Sequence, residues 1–204
     1  MSVKSFVATA CVAALSFAAA SSAMAQTAPA AAAPAASLGP AIANVCVLSV
    51  EGAIATSTVG KYANTQMDSI AKAVNTELTG ERTAVENEAK SLDSQKASLD
   101  QATLQSRATA LQTKANNLNR KAALREREVA ATQQKALNRI GQEMDPIIRQ
   151  VAQQKQCGLL LSREAVIVAN SAMDITPAVV AGLNAKITQF AIVRENLAQQ
   201  PASK

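Results

Sequence analysis

The chain predicts an α+β protein: a long antiparallel α-helical coiled-coil hairpin standing on a small β-sheet body. Three observations carry this. Residues 57–154 contain Gly60, Gly80 and Gly141 as their glycines and no proline before Pro146, and Ala, Leu, Glu, Gln, Lys and Arg dominate them, a composition that favours helix. Within them Met67, Ile70, Val74 and Leu78 recur at helical spacing. Val85, Leu92 and Leu99, then Leu104, Leu111 and Leu118, follow at every seventh residue, which is a heptad seam. Short apolar and β-branched runs lie on either side of this region, at residues 42–50, 159–161 and 165–169, and read as strands.

The chain opens on an export signal. Lys4 provides the charged start, residues 6–20 an apolar run, and Ser22-Ala23-Met24-Ala25 an Ala-x-Ala-like cleavage site after residue 25. Such a signal directs the mature chain out of the cytosol. The absence of a lipobox cysteine at the cleavage site points to a bacterial periplasm. Residues 26–41 are mostly alanine with Pro29, Pro34 and Pro40 and no charge, so they read as a disordered tether.

Residues 42–56 begin the body with its first strand, 42–50, bounded by Pro40 and Gly52. The hairpin of residues 57–154 follows, with Ser57 or Thr58 able to cap its outgoing arm. The step from Leu99 to Leu104 breaks the seven-residue register, which places the tip near residues 100–103 and Thr103 as the cap of the returning arm. Pro146 should disturb that arm locally. Residues 155–198 complete the body. Gly158 ends the helical region, and Leu159-Leu160-Leu161 forms a second strand. Ser162-Arg163-Glu164 turns into a third strand at 165–169. Thr176 as N-cap and Pro177 at the first helical position start a closing helix whose buried face is Val179, Val180, Leu183, Ile187 and Phe190 or Ala191. Residues 199–204 form a frayed tail.

The two arms differ in charge. Residues 77–100 carry Glu77, Glu81, Glu86, Glu88, Asp93 and Asp100 against Arg82, Lys90 and Lys96, whereas residues 101–125 carry Arg107, Lys114, Arg120, Lys121 and Arg125 with no acid. Antiparallel pairing sets opposite signs side by side. Those five basic residues either serve the acidic arm or form a contact surface for a client or for anionic lipid or lipopolysaccharide. The whole chain has a formal charge of +5; loss of residues 1–25 removes Lys4 alone and leaves 19 basic against 15 acidic residues, a charge of +4. Nucleic acid is excluded as a partner by the compartment and by the scarcity of aromatic residues for base stacking.

Cys46 and Cys157 are the cysteines that survive export. In an oxidising compartment they form a disulfide if the arms bring them together, and otherwise remain two separate buried thiols. Three short strands and one helix bury too little apolar area to stand alone. Several copies sharing one barrel would remove the strand edges, so a homo-oligomer is expected.

No enzyme is expected. The chain has no histidine, the commonest general base and metal ligand, and two mature cysteines cannot build a cysteine-rich zinc site. Neither a phosphate-binding loop nor a dinucleotide fingerprint is present, so neither cofactor nor metal is anticipated.

With strand, hairpin, strands and closing helix in order, the chain resembles the Skp/OmpH family of periplasmic chaperones over residues 42–187. The matching stretches are Ala43-Asn44-Val45-Cys46-Val47-Leu48-Ser49-Val50-Glu51, Leu104 after the tip, Cys157-Gly158-Leu159-Leu160-Leu161-Ser162, and Met173-Asp174-Ile175-Thr176-Pro177-Ala178-Val179-Val180-Ala181-Gly182-Leu183-Asn184. The last is the most distinctive. The two cysteines, Ser162 and the residues after Ile187 depart from the family pattern. The resemblance implies a homotrimer whose strands form a shared β-barrel and whose hairpins hang as tentacles around a cavity. It further implies an ATP-independent holdase that binds unfolded outer-membrane proteins. The rival reading is a structural coiled-coil adaptor of the cell envelope that binds a folded partner or an anionic surface.

Overall fold

The computed structural model describes residues 39–198. The expected signal, the tether as far as residue 38 and the tail at 199–204 lie outside the described residues.

Strand β1 (Val45–Leu48) and strand β2 (Leu159–Ser162) pair in parallel, with Val45 opposite Leu159 and Leu48 opposite Ser162. Parallel neighbours need a crossover connection, and here the connection is the whole helical hairpin. Strand β1 is the inner one. Its Cys46, Val47 and Leu48 are buried, and on its other side Ile175 donates its N–H to the Val47 carbonyl at 2.9 Å. Strand β2 is an edge, with Leu159 and Leu160 exposed.

The strand expected over 42–50 ends at Leu48, because Ser49 starts helix α1 (Val50–Thr56) by accepting the Gly52 N–H on its Oγ at 3.0 Å, as an N-cap does. Buried Ser57 closes α1 and caps helix α2 (Thr58–Gln95), with its Oγ accepting from the Gly60 N–H at 3.1 Å. Gly60 is required at this corner, since a Cβ would come 1.7 Å from the Ile54 carbonyl oxygen.

Helix α3 (Gln101–Gln154) returns. The tip therefore falls at residues 96–100, earlier than expected, and Asp100 rather than Thr103 is the cap, accepting the Thr103 N–H at 2.9 Å. Helix α3 continues through Pro146, which lies on its exposed side. There solvent can serve the carbonyl that proline leaves unbonded. The helix ends in a Schellman pattern. Gln156 at φ 55° donates to Gln153, and the Cys157 N–H donates to the Ala152 carbonyl at 2.9 Å. Gln156, not Gly158, takes the left-handed position.

The third strand expected at 165–169 does not form. A single 3₁₀ turn at Arg163–Ala165 leads into an irregular run in which Ile167 is 99% exposed. No second strand from within the described residues reaches it. The closing helix α4 (Thr176–Lys186) has Thr176 as its first residue rather than its cap, and it stops before Ile187. The Ile187 and Phe190 face expected on that helix lies instead on a non-helical strap, residues 187–197, which still packs against the core.

That core contains Cys46, Leu48, Ala53, Ile175, Val179 and Leu183 from the body and Val59, Ala63, Ile140, Met144, Ile147 and Val151 from the roots of the arms. Half of it therefore comes from the roots of the two arms. Cys46 and Cys157 are joined in a disulfide across the foot of the hairpin, their Cα atoms 5.6 Å apart and 111 residues apart in sequence.

Candidate functional site

The arms are the part of the molecule with surface to offer. Their antiparallel register is visible in the cross-arm polar pairs. Arg107 donates to Gln95 at 2.8 Å, Lys114 pairs with Glu88 at 2.6 Å, Lys121 pairs with Glu81, and Arg125 pairs with Glu77 at 3.0 Å. One partner advances as the other recedes, by seven, seven and four residues, the spacing of a heptad seam. Met67, Ile70, Leu78, Val85, Leu92, Leu99, Leu104, Leu111 and Leu118 are half-buried and Val74 is buried, so the apolar stripe faces the partner arm. Between Val85 and Leu118 the seam leaves a shallow groove of about 370 Å³, flanked by the Glu88–Lys114 and Glu81–Lys121 pairs.

Of the five basic residues singled out by their pattern, Lys114, Lys121 and Arg125 are thus bound to acids of their own hairpin. Arg107 and Arg120 meet only amide oxygens, those of Gln95 and Asn117, among the described residues. The pattern thus marks arm pairing at three of its five positions.

Halfway along α2 the pairing thickens into a cluster that sequence reasoning did not find. Glu77 accepts from Arg125 and from Lys121 at 2.6 Å, and Arg194 of the strap reaches it at 3.4 Å. Hydrogen bonds from Arg125 and then Lys121 hold the Glu77 carboxyl down from 4.5 to about 2. The same contacts raise Lys121 and Arg125 above their ordinary values. Glu128 beside them is fully buried, yet each of its oxygens is used: Arg125 at 2.8 Å, the Leu197 N–H at 3.2 Å and Arg194 at 3.5 Å. A buried carboxylate needs such partners. The arm charges were visible in the sequence, but Arg194 belongs to the end of the body, beyond the closing-helix face expected as far as Phe190 or Ala191, so its role had no local signal.

Between the strap and α3 runs a groove of about 850 Å³ lined by Ala136, Arg139, Phe190, Ile192 and Glu195 among others. Large apolar side chains stand exposed elsewhere, at Leu159 and Leu160 on β2 and at Ile167 and Val168 in the irregular run that follows it. From Leu78 to Arg127 no large apolar side chain is exposed, and the outward apolar groups are alanines such as Ala84, Ala89 and Ala108.

The family described as "Outer membrane protein (OmpH-like)" matches residues 44–183, which run from the start of β1 to the last turns of α4. The chain belongs to the OmpH-like family. A crystal structure of a candidate outer membrane chaperone (OmpH-like) from Caulobacter crescentus CB15 is similar to this OmpH-like chain at 51% sequence identity, with a TM-score of 0.75. The similarity covers 79% of this chain and 96% of that one. Among curated proteins none matches.

Proposed function

We propose that this OmpH-like chain is an ATP-independent holdase of the periplasm that receives unfolded outer-membrane proteins between its helical arms and keeps them from aggregating. The observation that carries this is the character of the arms. They are long, about 57 Å for α2 and about 80 Å for α3 at 1.5 Å per residue, and they are rooted at one end. Beyond Glu77 and Glu128 no residue of either arm is fully buried, and their outward face mixes small apolar groups with charge. Such a surface makes many weak contacts with an unfolded chain, none of which needs fuel to release. Membership of a family with a solved relative described as a candidate outer membrane chaperone supports the client class.

A cavity needs more than one hairpin. The open edge of β2 with Leu159 and Leu160, and the unpaired run bearing Ile167 and Val168, suit pairing with further copies, in keeping with a homotrimer built around a shared barrel. The disulfide locks the foot of each hairpin. Contact with anionic lipid or lipopolysaccharide falls chiefly to Arg107 and Arg120, which have no carboxylate partner among the described residues.

Dilution of a urea-unfolded outer-membrane β-barrel protein into buffer tests the proposal. Mature chain at three copies per client should suppress the light scattering without ATP. Undiminished scattering, or binding confined to folded partners, would favour an envelope adaptor.

A further inference from the structure

The strap has a direction. From the end of α4 it climbs α3 away from the body, with Phe190 and Ile192 turned to the core and Ala191 and Val193 outward. The Glu195 N–H then donates to the Thr132 hydroxyl at 2.9 Å and the Leu197 N–H to Glu128 at 3.2 Å, one helical turn higher. At that level Arg194 spans both arms, 3.4 Å from Glu77 of α2 and 3.5 Å from Glu128 of α3.

The burial of the arms changes at the same level. Below it α2 contributes buried Val59, Ala63 and Val74, and α3 contributes buried Thr132, Ala136, Ile140 and Met144. Above it neither helix has a buried residue. One turn above Glu77 stands Gly80, exposed and with nothing within 4 Å of where a Cβ would be. It is the sole glycine between residues 61 and 140. Glycine inside a helix lowers local helix stability about five-fold relative to alanine.

We propose that residues 187–197 act as a clamp, with Arg194 as the cross-tie, that makes the lower half of the arm one rigid piece with the body and places the bending point at Gly80. Only the upper segment then swings. Without the clamp, the bending point drops to where core packing ends, near Ala63. This holds whatever the arms bind, and its test uses no client.

Amide hydrogen exchange of the mature chain reads it directly. In the wild type, residues 58–77 and 128–154 should exchange at least about ten-fold more slowly than residues 81–124, with the step between Glu77 and Gly80. Truncation after Thr188 should move that step down α2 to between Ala63 and Val74. The milder Arg194→Ala, Glu195→Ala pair keeps Phe190 and Ile192 in the core and should move it the same way if the truncated chain does not fold. Gly80→Ala should slow exchange of residues 78–84 about five-fold and leave 58–77 unchanged. A step that stays in place when Arg194 and Glu195 are removed overturns the clamp. Upper-arm exchange indifferent to Gly80→Ala overturns the position of the bend.

Discussion

Gly60 lies where α1 hands over to α2, with the Ile54 carbonyl oxygen so near that a Cβ would stand 1.7 Å from it. No rotamer relieves a clash with backbone. Gly60→Ala must therefore open the corner that buries Ser57 and Val59, and it should destabilise the fold by about 3 kcal/mol or more, measured by urea unfolding. Glu77 acts through charge instead. Its carboxyl is held at about 2 in the fold against an ordinary 4.5, so the unfolded chain binds the proton more readily. The stabilisation is fully present above about pH 4.5 and is lost as pH falls through about 2. Its ceiling is about 3 kcal/mol, reduced by the solvent that reaches this 30% exposed side chain. Thermal unfolding of Glu77→Gln should accordingly fall less steeply between pH 4.5 and 2 than that of the wild type. Equal slopes would mean that the cluster stores no such energy.

The family stretch around residues 174–184 becomes intelligible at the scale of elements. Asp174 accepts the Thr176 N–H at 2.8 Å, Ile175 is buried and bonds β1, and the Thr176 hydroxyl accepts from the Ser49 N–H at 2.9 Å. Leu183 is fully buried, and the Asn184 side-chain Oδ1 accepts the Thr58 N–H at 2.7 Å, filling an orphan donor in the first turn of α2. Asn184→Ala should cost about 1 kcal/mol, the usual value of a lost helix cap. Chemical denaturation reads the loss, and a Gly60 amide unaltered in exchange rate would show that the corner itself stays intact. This role was not legible in the sequence, because the capped helix begins 126 residues before its cap. What local pattern encodes was legible: the helical region, its seven-residue stripe, the reversal near residue 100 and the opposed charges of the arms. Where two periods compete, local reading failed. Residues 42–50 are β-branched, but Ser49 with Gly52 makes a cap that cuts the strand short. Ile187 and Phe190 keep a helical interval, yet the chain after Lys186 is non-helical and alternates instead, with residues 190, 192 and 194 turned inward. The β-branched run at 165–169 has strand propensity but no strand beside it among the described residues.

Taken together, the described residues close one core and leave one sheet edge open. Arm roots and body share one buried cluster, closed at the foot by Cys46–Cys157, while Ile167 at 99% and Leu159 at 51% exposure stay in water. These two properties separate folding from assembly. If further copies cover the edge of β2, a charge there should block association without unfolding the protomer, since no core residue is touched. On that reading the parent should sediment as a trimer at micromolar concentration and Ile167→Lys with Leu159→Glu as a monomer, its helical circular dichroism unchanged. That isolated protomer lacks the support of neighbours and should lean more on its cross-link. A bridge closing a loop of this length contributes about 2 to 4 kcal/mol through the entropy of the unfolded chain, so reductant should lower the melting temperature of the monomeric variant. Mass analysis with and without reductant counts the bond directly. A parent that is monomeric at the same concentration would detach the exposed edge from assembly, and equal melting of the oxidised and reduced variant would leave the fold to the apolar cluster alone.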